Sequence, residues 1–308
     1  MAAHRTDRPH NLASAAIVVG TDGSAAAHRA VHWAAETAAQ RGRTLHIVHG
    51  LDLTAAAAAL GSYDVLAPGV IDNIRRCGEE YITSAARLAR AVAPGVRIRT
   101  EVCEAESARL LIARSADAHM VVLGAAGDSG TFAHLGSTLL AVVAHGRGTV
   151  AVVRHRGAEL RSGGGYPVVV GIDGSARSQA ALAAAFHEAA ERRTRLVAVH
   201  AWCDQRFDRF AGYPNTITDP VVAASAQALL SEQLAGWQEK YPDVPIIRKV
   251  YPAGPVHQLI EWSRLAQLVV VGNRGRGGFR GLFLGSTGNA LVQHAHCPVM
   301  VAHTEQHR

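Results

Sequence analysis

Cysteine is scarce in this chain, and so are aromatic residues, charge and long apolar runs. Only four cysteines occur, Cys77, Cys103, Cys203 and Cys297, and no two stand in C-x-x-C spacing. That pattern excludes a disulfide-framed secreted fold and a cysteine zinc site, and it points to a reducing, cytoplasmic setting. No apolar run reaches the roughly 18–20 residues of a bilayer crossing, so no membrane partner is expected. Residues 1–14 show positive charge without the apolar segment of a signal peptide, and they read as a disordered lead-in. The 17 histidines include the pair His294 and His296, which lacks the i, i+4 spacing of a helical zinc site, so no metal site is expected. The net charge of +6 is spread along the chain as arginine, so nucleic acid is not an expected partner.

With 48% hydrophobic and 18% charged residues, the chain has the composition of a globular protein. Its 308 residues suit two domains of roughly 150, each large enough to bury a core. An internal repeat supports that division. Ile17-Val18-Val19-Gly20-Thr21-Asp22-Gly23-Ser24 returns as Val169-Val170-Gly171-Ile172-Asp173-Gly174-Ser175. Val121-Val122-Leu123-Gly124 returns as Val269-Val270-Val271-Gly272, and Gly136-Ser137 as Gly285-Ser286. The period far exceeds the 20–50 residues of a solenoid unit, so each copy is a whole domain. Residues 15–154 form the first and 167–304 the second, with a glycine-rich linker over 155–166.

Apolar runs and helical patterns alternate through both halves. In the first, strands are expected at Ile17–Val19, Leu45–Val48, Arg97–Val102, Met120–Leu123 and Thr149–Val153. Helices are expected over about Ala25–Gln40, Asp72–Ala91, Ala105–Ala116 and from Ser137, with Ser24 as the first N-cap. The second half repeats the order, from strand Val168–Val170 to strand Val299–Ala302. Such alternation predicts an open five-stranded parallel α/β sheet in each half, with helices on both faces. Ligands of such sheets bind beyond the carboxyl ends of the strands, where both Asp-Gly-Ser turns and both glycine loops fall. Two irregular stretches, 53–69 and 205–219, are expected to be mobile loops beside that edge.

The second glycine loop reads Gly272-x-x-Gly275, nine residues, then Gly285-Ser286. Glycines allow close backbone approach to a ligand, and their N–H groups converge as an anion nest. Ser286 opens a helix whose dipole favours phosphate, and Arg274, Arg276 and Arg280 add positive charge. Several charge-assisted hydrogen bonds, each of about 1.5–3 kcal/mol, can hold a triphosphate. The Walker A lysine is missing, as is a G-x-G-x-x-G after the first strand. For Asp22 and Asp173 the plainer alternative is an Asx turn that only shapes the loop.

These motifs resemble the ATP-binding subgroup of the universal stress protein family, in its tandem-domain form, over about residues 15–304. Leu234 to Pro242 and His294 to Val299 support the likeness. The resemblance implies two tandem Rossmann-like domains of the adenine nucleotide alpha hydrolase-like kind. It implies ATP, with or without Mg2+, as the bound ligand. Asp173 and Asp22 would meet adenosine, and Gly171 and Gly20 would line its base or ribose. Gly272, Asn273, Arg274, Gly275, Arg276, Gly277 and Gly278 would wrap the ribose and phosphates. Gly285, Ser286 and Thr287 would hold the phosphates, with Asp204 touching the ligand. In the first half the matching set is Gly20, Asp22, Gly124, Gly127, Ser129, Gly130, Gly136 and Ser137. The resemblance also implies pseudo-twofold pairing of the halves through their last strands, and a homodimer is a further possibility. The implied function is stress regulation by ATP occupancy, with the protein partner unidentified. Two alternatives stand beside it. One is a slow ATP-hydrolysing or nucleotidyl-transfer enzyme of this fold group, although H-x-G-H and S-G-G-x-D-S motifs are absent. The other is a nucleotide-free dimerising scaffold.

The first half departs from the pattern. Its spacer from Gly127 to Gly136 is eight residues, and Asp128 stands where the second half has Arg276. One residue fewer shortens the loop's reach by up to roughly 3.5 Å, and the carboxylate repels phosphate. The second half is therefore expected to bind ATP more tightly. Titration of the two halves produced separately checks this; equal affinities would contradict it.

Overall fold

The computed structural model describes residues 10, 14–53, 68–125, 136–154, 165–175, 178–203, 220–275 and 284–304. The chain divides into two compact units, Met1–Arg154 and His155–Arg308. The first runs β1 (Ile17–Gly20), α1 (Ala25–Gln40), β2 (Thr44–Gly50), α2 (Pro68–Val92) and β3 (Arg97–Cys103). It continues with α3 (Ser107–Arg114), β4 (Met120–Gly124), α4 (Ser137–His145) and β5 (Thr149–Val153). The second runs β6 (Val168–Ile172), α5 (Ser178–Glu191), β7 (Leu196–Cys203), α6 (Pro220–Lys240) and β8 (Ile246–Ala253). It ends with α7 (Pro255–Ser263), β9 (Leu268–Gly272), α8 (Ser286–His294) and β10 (Val299–Ala302).

Within the first unit the strand order is β3-β2-β1-β4-β5, and within the second it is β8-β7-β6-β9-β10. The pairings inside each set are parallel. Each unit is thus an open five-stranded parallel α/β sheet. β4 and β9 are buried up to their final glycine and β10 along its whole length, which is why they read as unbroken apolar runs. β3 is mostly half-exposed and carries Arg97, Arg99 and Glu101, charges that suit an edge strand.

Helix starts and stops follow local chemistry. Ser24 Oγ accepts a hydrogen bond from Ala27 N at 3.1 Å and caps α1, whose Ala27, Ala30, Val31, Ala34 and Ala38 are buried on the sheet. α3 begins at Ser107, two residues beyond the expected start, and Ala105 O and the Ser107 backbone lie close against Gly50 at the end of β2. β7 and β8 run to Cys203 and Ala253, further than their apolar cores suggest, because ladder pairing continues through Tyr251 and Ala253. In the second unit Phe186 of α5 stacks with Trp237 of α6 at 5.8 Å and with Tyr241, just past its end, at 5.6 Å. Trp237 Nε1 also donates to Gln179 Oε1, so aromatic contact and a hydrogen bond both fasten α6 to α5. Most of the expected linker and of the two irregular stretches lies outside the described residues.

A partly buried polar group links β2, β3 and α3. His46 Nε2 lies 3.0 Å from Glu101 Oε2, and Arg114 Nε donates to the same oxygen at 3.0 Å. Burial pushes the His46 imidazole below its ordinary 6.5, against the pull of Glu101. The Arg114 guanidinium holds Glu101 below 4.5, against its partial desolvation. For His46 the unfolded chain takes up the proton first, so its contribution is complete above about pH 6.5 and falls as pH drops below that. The Glu101 contribution is present above about pH 4.5 and is lost as pH falls through its lower folded value. Stability should therefore decline on acidification in two stages. In urea titrations from pH 8 to pH 3, His46→Gln should flatten the first stage only; an unchanged profile would contradict this assignment.

Candidate functional site

A sheet whose first strand lies in its middle parts its connections at one place. From β1 the chain leaves through α1 toward β2 on one side, while β4 pairs on the other side. The same divergence separates β6–β7 from β6–β9. A crevice must open above the carboxyl ends at each switch point. Both units have one there.

The turns after β1 and β6 are built alike. Gly23 and Gly174 have φ of +77° and +76°, a left-handed conformation that favours glycine. Asp22 Oδ1 accepts from Ser24 N at 2.9 Å. Asp173 Oδ1 accepts from Ser175 N at 2.9 Å and from Ser175 Oγ at 2.7 Å. Both carboxylates therefore shape an Asx turn, and both also line their crevice. Beside each turn a histidine of the neighbouring strand ties down the backbone. His49 Nδ1 lies 2.7 Å from Thr21 O, and His200 Nδ1 lies 2.7 Å from Ile172 O.

In the second unit an open cleft has two chemically distinct ends. One is largely apolar, walled by Gly171, Val199, Ala201, Pro255 and Leu259. The other collects Gly272, Arg274, Gly275, Gly285, Ser286, Thr287 and Gly288. Gly285 N donates to Asn273 O at 3.0 Å, which pins the start of α8 to the loop after β9. Gly285 caps α8 without a side-chain hydrogen bond, and the first turn holds no acidic residue, so backbone N–H groups face the cleft at the positive end of the helix. A Cβ on Gly275 would stand 2.9 Å from Asp173 Oδ2, so this glycine admits the close approach of turn and loop.

The first unit repeats the arrangement. Gly20, Val48, Gly50, Leu110 and Leu111 form the apolar side, and Gly124, Gly136, Ser137 and Thr138 the donor side. Gly136 caps α4 without a side-chain bond, again with no acid in the first turn. Gly124 is structurally obligatory, since an added Cβ would fall 2.1 Å from Ala26 O. Helix α1 packs its first turn directly onto the end of β4.

Of the expected positions, Gly171, Asp173, Gly272, Arg274, Gly275, Gly285, Ser286 and Thr287 meet in the second cleft. Gly20, Asp22, Gly124, Gly136 and Ser137 meet in the first. Asn273 takes part through its backbone, donating to Ala302 O at 3.0 Å and accepting from Gly285 N. Asp204, Arg276, Gly277 and Gly278 lie outside the described residues, as do Gly127, Ser129 and Gly130. His257 and His294 are exposed on helices. Several lining residues were not anticipated, among them His200, Ser178 and Leu259 in the second cleft and Arg29, Ser107 and Leu111 in the first. The repeat itself held the signal for some, because His49 matches His200 and Leu111 matches Leu259.

Fold and clefts together define a class: tandem parallel α/β units, each with a glycine loop and a helix start facing the switch point. The chain belongs to the universal stress protein family, whose sequence model matches residues 15–154 and again 166–303. It is 38% identical over 296 residues to the universal stress protein Rv2623 of Mycobacterium tuberculosis, covering 94% of this chain and 96% of that one. It is also 38% identical over 291 residues to Rv2005c of the same organism, covering 93% and 96%. A crystal structure of a universal stress protein from Archaeoglobus fulgidus matches 95% of this chain and 99% of its own, with a TM-score of 0.67 at 18% identity, a likeness of fold.

The Gly124 contact generates a stability test. Gly124→Ala forces backbone against backbone and should cost about 2 kcal/mol or more. Gly20→Ala meets only the flexible ends of Leu111 and Leu123 at 3.1 Å and should cost less. Denaturant midpoints of the two variants check the order; equal losses would contradict it.

Proposed function

We propose that this universal stress protein is an ATP-binding regulatory protein whose nucleotide occupancy signals to partners or growth state. The observation that carries the reading is the two-ended cleft of the second unit. Its apolar end suits the flat face of a purine, and its helix start and loop backbone suit phosphate. Arg274 adds the charge a polyphosphate needs. The membership in the family and the recurrence of the cleft in the first unit support it further. Asp22 and Asp173 would then serve the ligand and the turn together. Self-association of the whole chain belongs to the same proposal, and light scattering of the intact protein tests it.

The deciding experiment is to purify the protein, denature it and chromatograph the nucleotide it releases. ATP recovered intact supports the regulatory binder, ADP or AMP supports a hydrolysing enzyme, and no nucleotide supports a scaffold. As the paired prediction, Gly275→Val places a branched side chain between Asp173 and the helix start. It should reduce ATP bound at the second cleft at least about ten-fold. Undiminished retention at that cleft would overturn the loop assignment.

A further inference from the structure

The first glycine loop lacks the arginine of the second, but the cleft it borders does not lack one. In the second half the loop position is Arg274, and its counterpart in the first half is Ala126. On the helix after the first strand the residues are exchanged: the first half has Arg29 where the second has Ala180. The alignment is fixed by the Asp-Gly-Ser turns, and buried Ala30, Val31 and Ala34 of α1 match buried Ala181, Leu182 and Ala185 of α5. Arg29 lines the first cleft together with Gly124, Gly136 and Ser137. Its guanidinium reaches Ala125 O at 3.5 Å, one residue before the position that carries arginine in the other half. Its Nε is buried with no hydrogen-bond partner among the described residues. A buried, unpaired guanidinium nitrogen is costly, and an anionic oxygen offsets that cost.

We propose that Arg29 is the phosphate-binding cation of the first cleft, supplied from helix α1 in place of the loop arginine used in the second. The first cleft is then a polyphosphate site in its own right, despite its shorter loop and Asp128. Arg29 lies on the second turn of a helix whose first turn abuts Gly124, so its position is set by the fold. This inference rests on the reading that the clefts take ATP, and it adds which residue holds the phosphates of the first.

The test uses the full chain and calorimetry with Mg-ATP and with adenosine. The unaltered chain should bind two ATP, and Gly275→Val, which disables the second cleft, should leave one. Adding Arg29→Ala to that variant should weaken the remaining ATP site about ten-fold or more while leaving adenosine binding within about two-fold. Arg29→Lys should retain part of the affinity. Arg29→Ala combined with Ala126→Arg, which moves the charge to the loop as in the second half, should restore ATP binding. Equal weakening for ATP and adenosine, or no weakening, would overturn the role of Arg29, and so would failed rescue in a variant whose melting temperature is unchanged. One ATP per chain, lost in Gly275→Val, would overturn this inference alone and leave the proposed function intact. No ATP in the unaltered chain would overturn both.

Discussion

The first cleft depends on how closely α1 lies against the end of β4. The space above Gly124 is filled by the Ala26 carbonyl, so the helix begins where the strand stops. That contact requires glycine at the strand end and small residues along α1, where Ala27, Ala30 and Ala34 are buried. It also brings the Asp-Gly-Ser turn and the glycine loop into one crevice instead of two separate loops. The parallel sheet sets which edge carries the loops, and the helix contact sets how near they come.

The frame of each half was legible because its signals are local and strong. Buried parallel strands read as apolar runs, the alanine periodicity of α1 reads as a helix, and Ser24 marks its start. The glycines at positions 20, 124 and 272 stand at strand ends, and Gly171 one residue before one. Element ends were less legible: nothing local states that α3 starts at Ser107 or that Gly50 lies against that start. The lining residues contributed by neighbouring elements were also hidden. His200 looks like any polar residue in a strand, and only the partner carbonyl of Ile172 gives it a place. Arg29 lies in a helical pattern where arginine ordinarily faces solvent, and its direction follows from packing, not from spacing.

The aspartates show a different limit. Sequence offered two roles for Asp22 and Asp173, shaping a turn or meeting a ligand, as though they excluded each other. Both accept the N–H two residues on, and both border a cleft. A carboxylate has enough lone pairs for both tasks, and the turn restricts the side chain to one direction. Loss of the turn would therefore move the carboxylate as well as the loop, so a single substitution at either aspartate cannot separate the two roles.

A tandem repeat relaxes the requirement that charge come from one fixed position. What an anion senses is the field at the cleft, and a guanidinium delivers that field from any backbone position within its reach. Arg29 and Arg274 stand on different elements yet border equivalent crevices, each beside a helix start that lacks an acidic first turn. Loop composition alone therefore understates how alike the two halves are. The loops still differ by one residue in spacer length and by Asp128 against Arg276, so likeness of charge does not imply equality of affinity. On the proposed reading, two clefts with the same frame but different spacer lengths and loop charges would bind one ligand over different concentration ranges. That gives a duplicated domain a physical reason to keep both copies.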